Sequence, residues 1–528
     1  MTYNIETAQA CDRLREESVG TTEGVLDVPP LAVDAPAHVD ETGVELKRGA
    51  FFNTIAMLAS NFRGIFTFLV ARLLGPAALG IFSVAWSTTD IISKIGVLGL
   101  DNAITTFIAR SEAVGDRARS RALFRLAVML GVAQSVVTAA IVIVALRFFD
   151  NRLQLQPQMV SALAVLLCAM PGVALYRIST AISRGMKVMQ HDIYSRGITE
   201  PIVTTLAFLL ALAIGFKDFS PEVAAIVGTA ASGIIALVLA SRLFRNIPAR
   251  NDVVSHRGEA WRLVAYAAPI SIYQLINVFI ARLDLIMLGY FVGRAPGVTL
   301  ATVGVYGAVV DTANGLRKVN QAFNPIFAPV VAGMTATADH ERAAATYARL
   351  AQWMLWILLP LVAVMWFAGG TILLIFGPAF RQGGVWLGIV ALASAINAFV
   401  ALGETVIMVQ RPRLNLLHSS ITCAVAAGGL LWLIPRFGVM GAAFGILLPY
   451  IVQGILRYAT LRWVFHWKDS WSDIRPPLLA AAIALVPALV CRALLEGIVG
   501  QVSSAAAFLA VFGSQWWQHH THSKHQRA

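Results

Sequence analysis

From Lys47 to about Trp517 the chain is a near-continuous series of apolar stretches, and this pattern constrains its fold more than any other feature. A helix that crosses a bilayer needs roughly 20 apolar residues. Fourteen stretches qualify: 49–71, 79–100, 122–146, 158–176, 197–215, 222–241, 263–292, 300–325, 350–376, 385–409, 414–434, 437–456, 478–496 and 501–517. The last is short and runs into Trp516 and Trp517, so lying in the interface is its alternative to crossing. Charged residues make up 13% of the chain, against about 25% in a soluble one. Mean hydropathy is +0.70. These values exclude a soluble enzyme, a disordered protein and a nucleic-acid binder, despite a pI near 9.9.

The predicted class is an all-α integral membrane protein with about 14 (12–14) transmembrane helices. They form two parallel six-helix lobes around a central cavity, with two further C-terminal helices. Residues 1–47 read as a disordered acidic cytoplasmic tail, with ten Asp/Glu against Arg13, Arg15 and Lys47 and no apolar core of a signal peptide. Residues 48–243 form the N-terminal lobe, 244–262 a basic cytoplasmic linker and 263–465 the C-terminal lobe. Residues 466–517 are the extra helices 13 and 14, and 518–528 a His-rich tail. No second ligand cluster accompanies His519, His520, His522 and His525, so a solvated tail is expected, not a metal site. Cys11, Cys168, Cys423 and Cys491 form no CxxC pair.

Loop charge orients the chain. One set of loops carries 22 basic residues, among them Arg110, Arg117, Arg177, Arg196, Arg242, Arg411 and Arg457, whereas the opposite set carries 8. The positive-inside rule puts the first set, and both termini, in the cytoplasm of an inner-membrane protein.

An internal repeat is visible. LVARL (69–73) and FIARL (279–283) sit on spans 1 and 7. GIFSVAWSTTDIISK from Gly80 and GVYGAVVDTANGLRK from Gly304 align at an offset of 224, pairing Asp90 with Asn314 and Lys94 with Lys318. Parallel repeats of this kind place a transport site at the repeat interface.

Charges within a bilayer are expensive and usually face a cavity or a partner. Helical spacing puts Ser87, Asp90, Lys94 and Asp101 on one stripe of span 2, and Asp311, Asn314, Lys318 and Gln321 on one of span 8. Arg63 and Thr67 share a stripe on span 1, as do Gln274, Asn277 and Asp284 on span 7. Mutual neutralisation of Asp90 with Lys94, or of Asp311 with Lys318, is the plain alternative; it leaves Arg63 and Arg317 unexplained. A cationic, hydrated cavity suits an anionic substrate, and the arginine fork suits phosphate. Arg72 and Arg282 lie near span ends, where snorkelling competes with binding. Glu200, Glu404 and His418 are candidates for proton coupling or for packing. There is no GxxxxGK[ST] pattern and no large soluble domain.

At ARLLGPAALG (71–80), LLIFGPAF (373–380), GETVIMVQRPRLN (403–415) and LIPRFGVMGAAFG (433–445), the chain resembles the polysaccharide-export flippases of the multidrug/oligosaccharidyl-lipid/polysaccharide superfamily. The likeness covers roughly 48–465. It implies alternating-access transfer of a polyprenyl-diphosphate-linked oligosaccharide from the cytoplasmic to the periplasmic leaflet, for polysaccharide biosynthesis. The partners implied are that glycan lipid, membrane lipids and polysaccharide polymerase or assembly proteins. Cations of the cavity are assigned to the diphosphate in the related lipid II flippases. Arg63 occupies a similar place, while Lys94, Arg317, Lys318 and Arg282 match in kind. Asp90, Asp284, Asp311, Asn277, Asn314 and Glu404 are the expected cavity-lining or coupling residues. No catalytic residue, metal or cofactor is expected. The rival readings are a multidrug cation antiporter of the same superfamily, a lipid II flippase, and a scaffold or polymerase subunit.

Overall fold

Hydrocarbon offers backbone amides no partner, so a chain this apolar must satisfy them within helices or a closed barrel. Helices form, and among the described residues there is no strand. The computed structural model describes residues 62–153, 156–245, 247, 256–321, 340–465 and 471–525. The acidic tail, the first part of span 1 (49–61), residues 246 and 248–255 of the basic linker and the end of span 8 (322–325) lie outside them.

The helices are α1 (Phe62–Val97), α2 (Leu100–Ala113), α3 (Arg117–Leu153), α4 (Pro157–Leu167), α5 (Met170–Gly185), α6 (Glu200–Ala213) and α7 (Ser220–Leu243) in the N-terminal half. The C-terminal half has α8 (His256–Tyr290), α9 (Leu300–Ala313), α10 (His340–Phe367), α11 (Gly369–Leu373), α12 (Gly384–Gln410) and α13 (Pro412–Ala459). The chain ends in α14 (Trp471–Leu494) and α15 (Gly497–His525). A π-helical segment, Ile193–Thr199, leads into α6.

By length and hydropathy, ten segments among the described residues can cross a membrane, or eleven if the bent pair α4–α5 counts as one span. This is fewer than the fourteen predicted stretches, for local reasons. α1 and α13 each merge two of those stretches across a break, at Gly75 (φ 85°, ψ 179°) and Gly438 (φ 57°, ψ −132°). Only glycine adopts such backbone readily, and Pro76 directly after Gly75 prevents the helix from continuing through it. α9 is only 14 residues long before it tightens into a 3₁₀ turn at Asn314–Leu316.

Three boundaries differ from the sequence reading. α1 ends at Val97 because Leu98 (φ 44°) and Gly99 (φ 66°) turn left-handed. Asp101 therefore sits on α2 and not on the stripe of Asp90. α8 already begins at His256, inside the predicted linker. The predicted His-rich tail is helical to His525. It is held by aromatic contacts: the His519 ring lies 5.9 Å from Trp356, and His520 stacks on Trp516 at 5.5 Å.

One buried apolar cluster joins both halves, from Phe66, Val70 and Leu79 to Val305, Leu387 and Leu430. The repeat lies at its centre. Carbon atoms added at Gly80 and Gly304 would collide with the carbonyls of Leu300 and Pro76 respectively. Pro76 and Leu300 are themselves 224 apart, so the contact is reciprocal, as at a two-fold axis. A separate cluster packs Ala484, Phe508 and Phe512 of α14–α15 onto Trp356 and Phe367 of α10.

Candidate functional site at the interface of the two halves

The second arm of α1 carries Ser87, Asp90 and Lys94 along one face, set by the 3.6-residue period. That face meets α5 and α8. Asp90 accepts from Arg177 Nη2 through Oδ1 at 3.0 Å and from Arg282 Nε through Oδ2 at 3.2 Å, with Arg282 Nη2 also at ion-pair distance from Oδ2, 3.2 Å. The carboxylate is 21% exposed, Arg177 11% and Arg282 24%. Asp90 is therefore not neutralised by Lys94 on its own helix. Lys94 Nζ donates to Gln274 Oε1 of α8 at 3.5 Å. Arg196, on the π-helical segment, lies over the Tyr176 ring at 5.7 Å. Arg177 and Arg282 thus hold the one carboxylate from two helices, with Lys94 on the same helix as Asp90 and Arg196 on the segment over Tyr176.

Arg282 does not snorkel to the interface; it faces a cavity of about 100 Å³ between the halves. Thr67, Ser87, Glu200 and Asp311 share that lining with Phe66, Phe82 and Trp86. Thr67 Oγ1 donates to Asp311 Oδ2 at 3.2 Å, tying α1 to α9.

The other predicted residues go elsewhere. Arg317 bonds to the Tyr450 hydroxyl and lies 5.3 Å over its ring. Asp284 is buried and accepts from Tyr306 Oη at 3.0 Å and from the Leu285 amide at 2.8 Å. Glu404 pairs with Arg457 at 2.8 Å and accepts from the Tyr273 hydroxyl, so it joins α8, α12 and α13. Asn277 donates to the Tyr273 carbonyl at 2.9 Å and accepts from Ser419 at 3.4 Å. Lys318 and Asn314 are half-buried beyond the end of α9. The Arg63 side chain lies outside the described residues.

Sequence reasoning missed Arg177, Arg196 and Arg457 by placing them in loops. All three lie within helical segments, and Arg457 is 2% exposed. A hydropathy window stops at a charge; a helix does not when the charge finds a partner inside. The usable signal was the apolar period continuing past Arg177 into Ile178, Ala181 and Ile182, all buried. Among the described residues, no group of three or more His, Cys, Asp or Glu could hold a metal ion.

Comparison with known proteins places this geometry. The fold is similar to a multidrug resistance MATE family transporter of the MOP superfamily in an inward-facing conformation (TM-score 0.66, 14% identity, 77% of this chain and 94% of that one). It is also similar to the lipid II flippase MurJ in an inward closed conformation (0.61, 10%, 88% and 98%). A third similar structure is the eukaryotic MATE transporter AtDTX14 (0.55, 11%, 83% and 99%). No curated protein sequence matches significantly. Residues 46–331, more than half of the chain, match the model of the family described as polysaccharide biosynthesis protein. The chain is therefore a multi-pass membrane protein of the polysaccharide biosynthesis protein family, built on the fold of the MATE and MurJ transporters.

Proposed function

We propose that the protein is a flippase that moves a polyprenyl-diphosphate-linked oligosaccharide from the cytoplasmic to the periplasmic leaflet of the inner membrane by alternating access. The carrying observation is the pair of guanidinium groups, Arg177 and Arg282, that hold one carboxylate where the two halves meet, with Lys94 one turn along the same helix. Guanidinium groups there offer the paired donors that a diphosphate accepts. Lys94, Arg177, Arg196 and Arg282 hold the diphosphate, and Arg63 and Lys318 are further candidates for contacting it. The lipid stays in the bilayer while the sugars cross in water. Two negative charges moving outward gain about 2.3 kcal/mol each per 100 mV, inside negative. Ion coupling through Asp90 or Asp311 is a separate element of the proposal; transport indifferent to collapse of every ion gradient overturns that element alone. Polysaccharide polymerase or assembly proteins are the proposed receivers of the flipped glycan.

Export of an organic cation is a second reading. Glu200 and Asp311 share the cavity with Phe66, Phe82 and Trp86, a lining that suits a cation. One experiment separates the two. In a deletion strain, a membrane-impermeant label reads which leaflet holds the glycan lipid. Glycan trapped inside, restored by the wild type but not by Arg282→Ala or Lys94→Ala, supports the flippase. Normal outward exposure with new sensitivity to cationic dyes supports drug export.

A further inference from the structure

We propose that Asp90 is a resident counter-anion that the substrate's diphosphate displaces, so that loading the site and releasing the two halves are one event. This inference rests on the reading of the substrate as a diphosphate ester.

The first support is connectivity. Asp90 and Arg177 belong to the N-terminal half, on α1 and α5, whereas Arg282 belongs to α8. The pair at Oδ1 is internal to one half; the pair at Oδ2 crosses between halves. α8 has its own anchor in the C-terminal half, through Tyr273 to Glu404 and from there to Arg457. When Arg282 leaves Asp90, α8 stays with that half, and this ionic tie across the interface is undone.

The second support is donor arithmetic. The two oxygens of Asp90 are each taken by a guanidinium, yet Arg177 Nη1 is buried with no hydrogen-bond partner among the described residues. An unmet buried donor is costly, and a carboxylate has no further oxygen to offer it. Arg196 stacks over Tyr176, next to Arg177 in sequence, and adds a further cation to the same region. A diphosphate diester brings two charges and more acceptor oxygens than one carboxylate. It can take over both guanidinium groups and reach the remaining donors.

The third support is access. Arg282 lines the cavity between the halves, so an incoming anion meets the crossing pair before the internal one. Asp90 thus tunes affinity. It keeps the buried cations paired without substrate and sets the threshold that a ligand must exceed.

The test uses the full-length protein in nanodiscs with polyprenyl diphosphate, which carries no sugar, as the probe, and polyprenol as its neutral control. Asp90→Asn keeps the shape and removes the competing charge. It is expected to bind the probe about tenfold or more tightly than the wild type, which corresponds to about 1.4 kcal/mol or more. Polyprenol binding stays unchanged, and Asp90→Glu stays close to the wild type. Equal or weaker probe binding by Asp90→Asn overturns the proposal. A second readout in the wild-type background does not depend on that variant folding. Phe107 and Tyr266 meet edge to face at 5.7 Å, one on α2 and one on α8. Cysteines at these two positions, joined by a short bis-maleimide, report the contact between halves. The probe is expected to reduce cross-linking several-fold; binding without that loss also overturns the proposal. Failure of the substrate reading looks different. Neither the wild type nor Asp90→Asn then binds the probe, Arg282→Ala transports normally, and the proposal falls with its premise.

Discussion

Arg457 is 2% exposed, and its guanidinium reaches both Glu404 Oε2 at 2.8 Å and the Val400 carbonyl at 3.1 Å. Glu404 is 31% exposed, so the pair is only partly desolvated. Truncating one partner of a buried pair costs about 3–5 kcal/mol, and the lower end applies here. Arg457→Ala is expected to lower the thermal midpoint in detergent clearly, and Glu404→Gln less, since a neutral amide still hydrogen-bonds Tyr273. Neither residue touches Asp90, so binding of polyprenyl diphosphate per folded molecule is expected to survive both. Asp284 makes a similar case on a smaller scale. Tyr306→Phe removes its hydroxyl donor in a buried setting, and a loss of about 1–3 kcal/mol is expected, read by the same thermal assay. Asp90 and Lys94 were legible as one polar face of an apolar helix because such stripes are a local signal, whereas Arg282 lay on no stripe and read equally as a snorkelling side chain. Their partners were not legible, because Arg177 and Gln274 come from helices whose approach no local pattern encodes.

At the scale of elements, the breaks matter as much as the helices. The motifs ARLLGPAALG and LIPRFGVMGAAFG each contain the glycine at which a long helix turns, Gly75 and Gly438. Between α1 and α9 the determining feature is space. Gly304→Ala is expected to force the arms of the repeat apart and to reduce folded protein and transport together, measured by membrane yield and the leaflet assay. Gly428→Ala on α13 is the control. Nothing lies within 4 Å of the added carbon, and replacing a mid-helix glycine removes a penalty of about 1 kcal/mol. Its thermal midpoint is expected to stay level or rise. The repeat at offset 224 anticipated this contact between α1 and α9. That Gly80 and Gly304 each press on the carbonyl four residues before the other emerges only when the two copies face each other.

For the whole molecule, the halves and the C-terminal pair separate in energetic terms. α14 and α15 pack onto α10 through their own cluster and contribute nothing to the Asp90 site. A chain ending at Val464 is expected to transport at a reduced level in the membrane, with a lower thermal midpoint because Trp356 and Phe367 lose their cover. Orientation is testable at the same scale. Val114 and Ile214 are both exposed, at turns on what the charge bias makes opposite sides of the membrane. A cysteine at 214 is expected to react with an impermeant maleimide in spheroplasts, whereas one at 114 is expected to react only after lysis. The reverse pattern inverts the topology.

Sequence alone determined that this chain lies in a membrane as helices, that it repeats, and that α1, α8 and α9 carry polar faces. Hydropathy and helical period are local sums, readable one segment at a time. Tertiary structure alone decided which charges meet. Asp90 pairs across 87 residues with Arg177 and across 192 with Arg282, and not with Lys94 one turn away. In a low-dielectric interior the charges that must be paired are those that packing brings together, and packing is a property of the assembled halves.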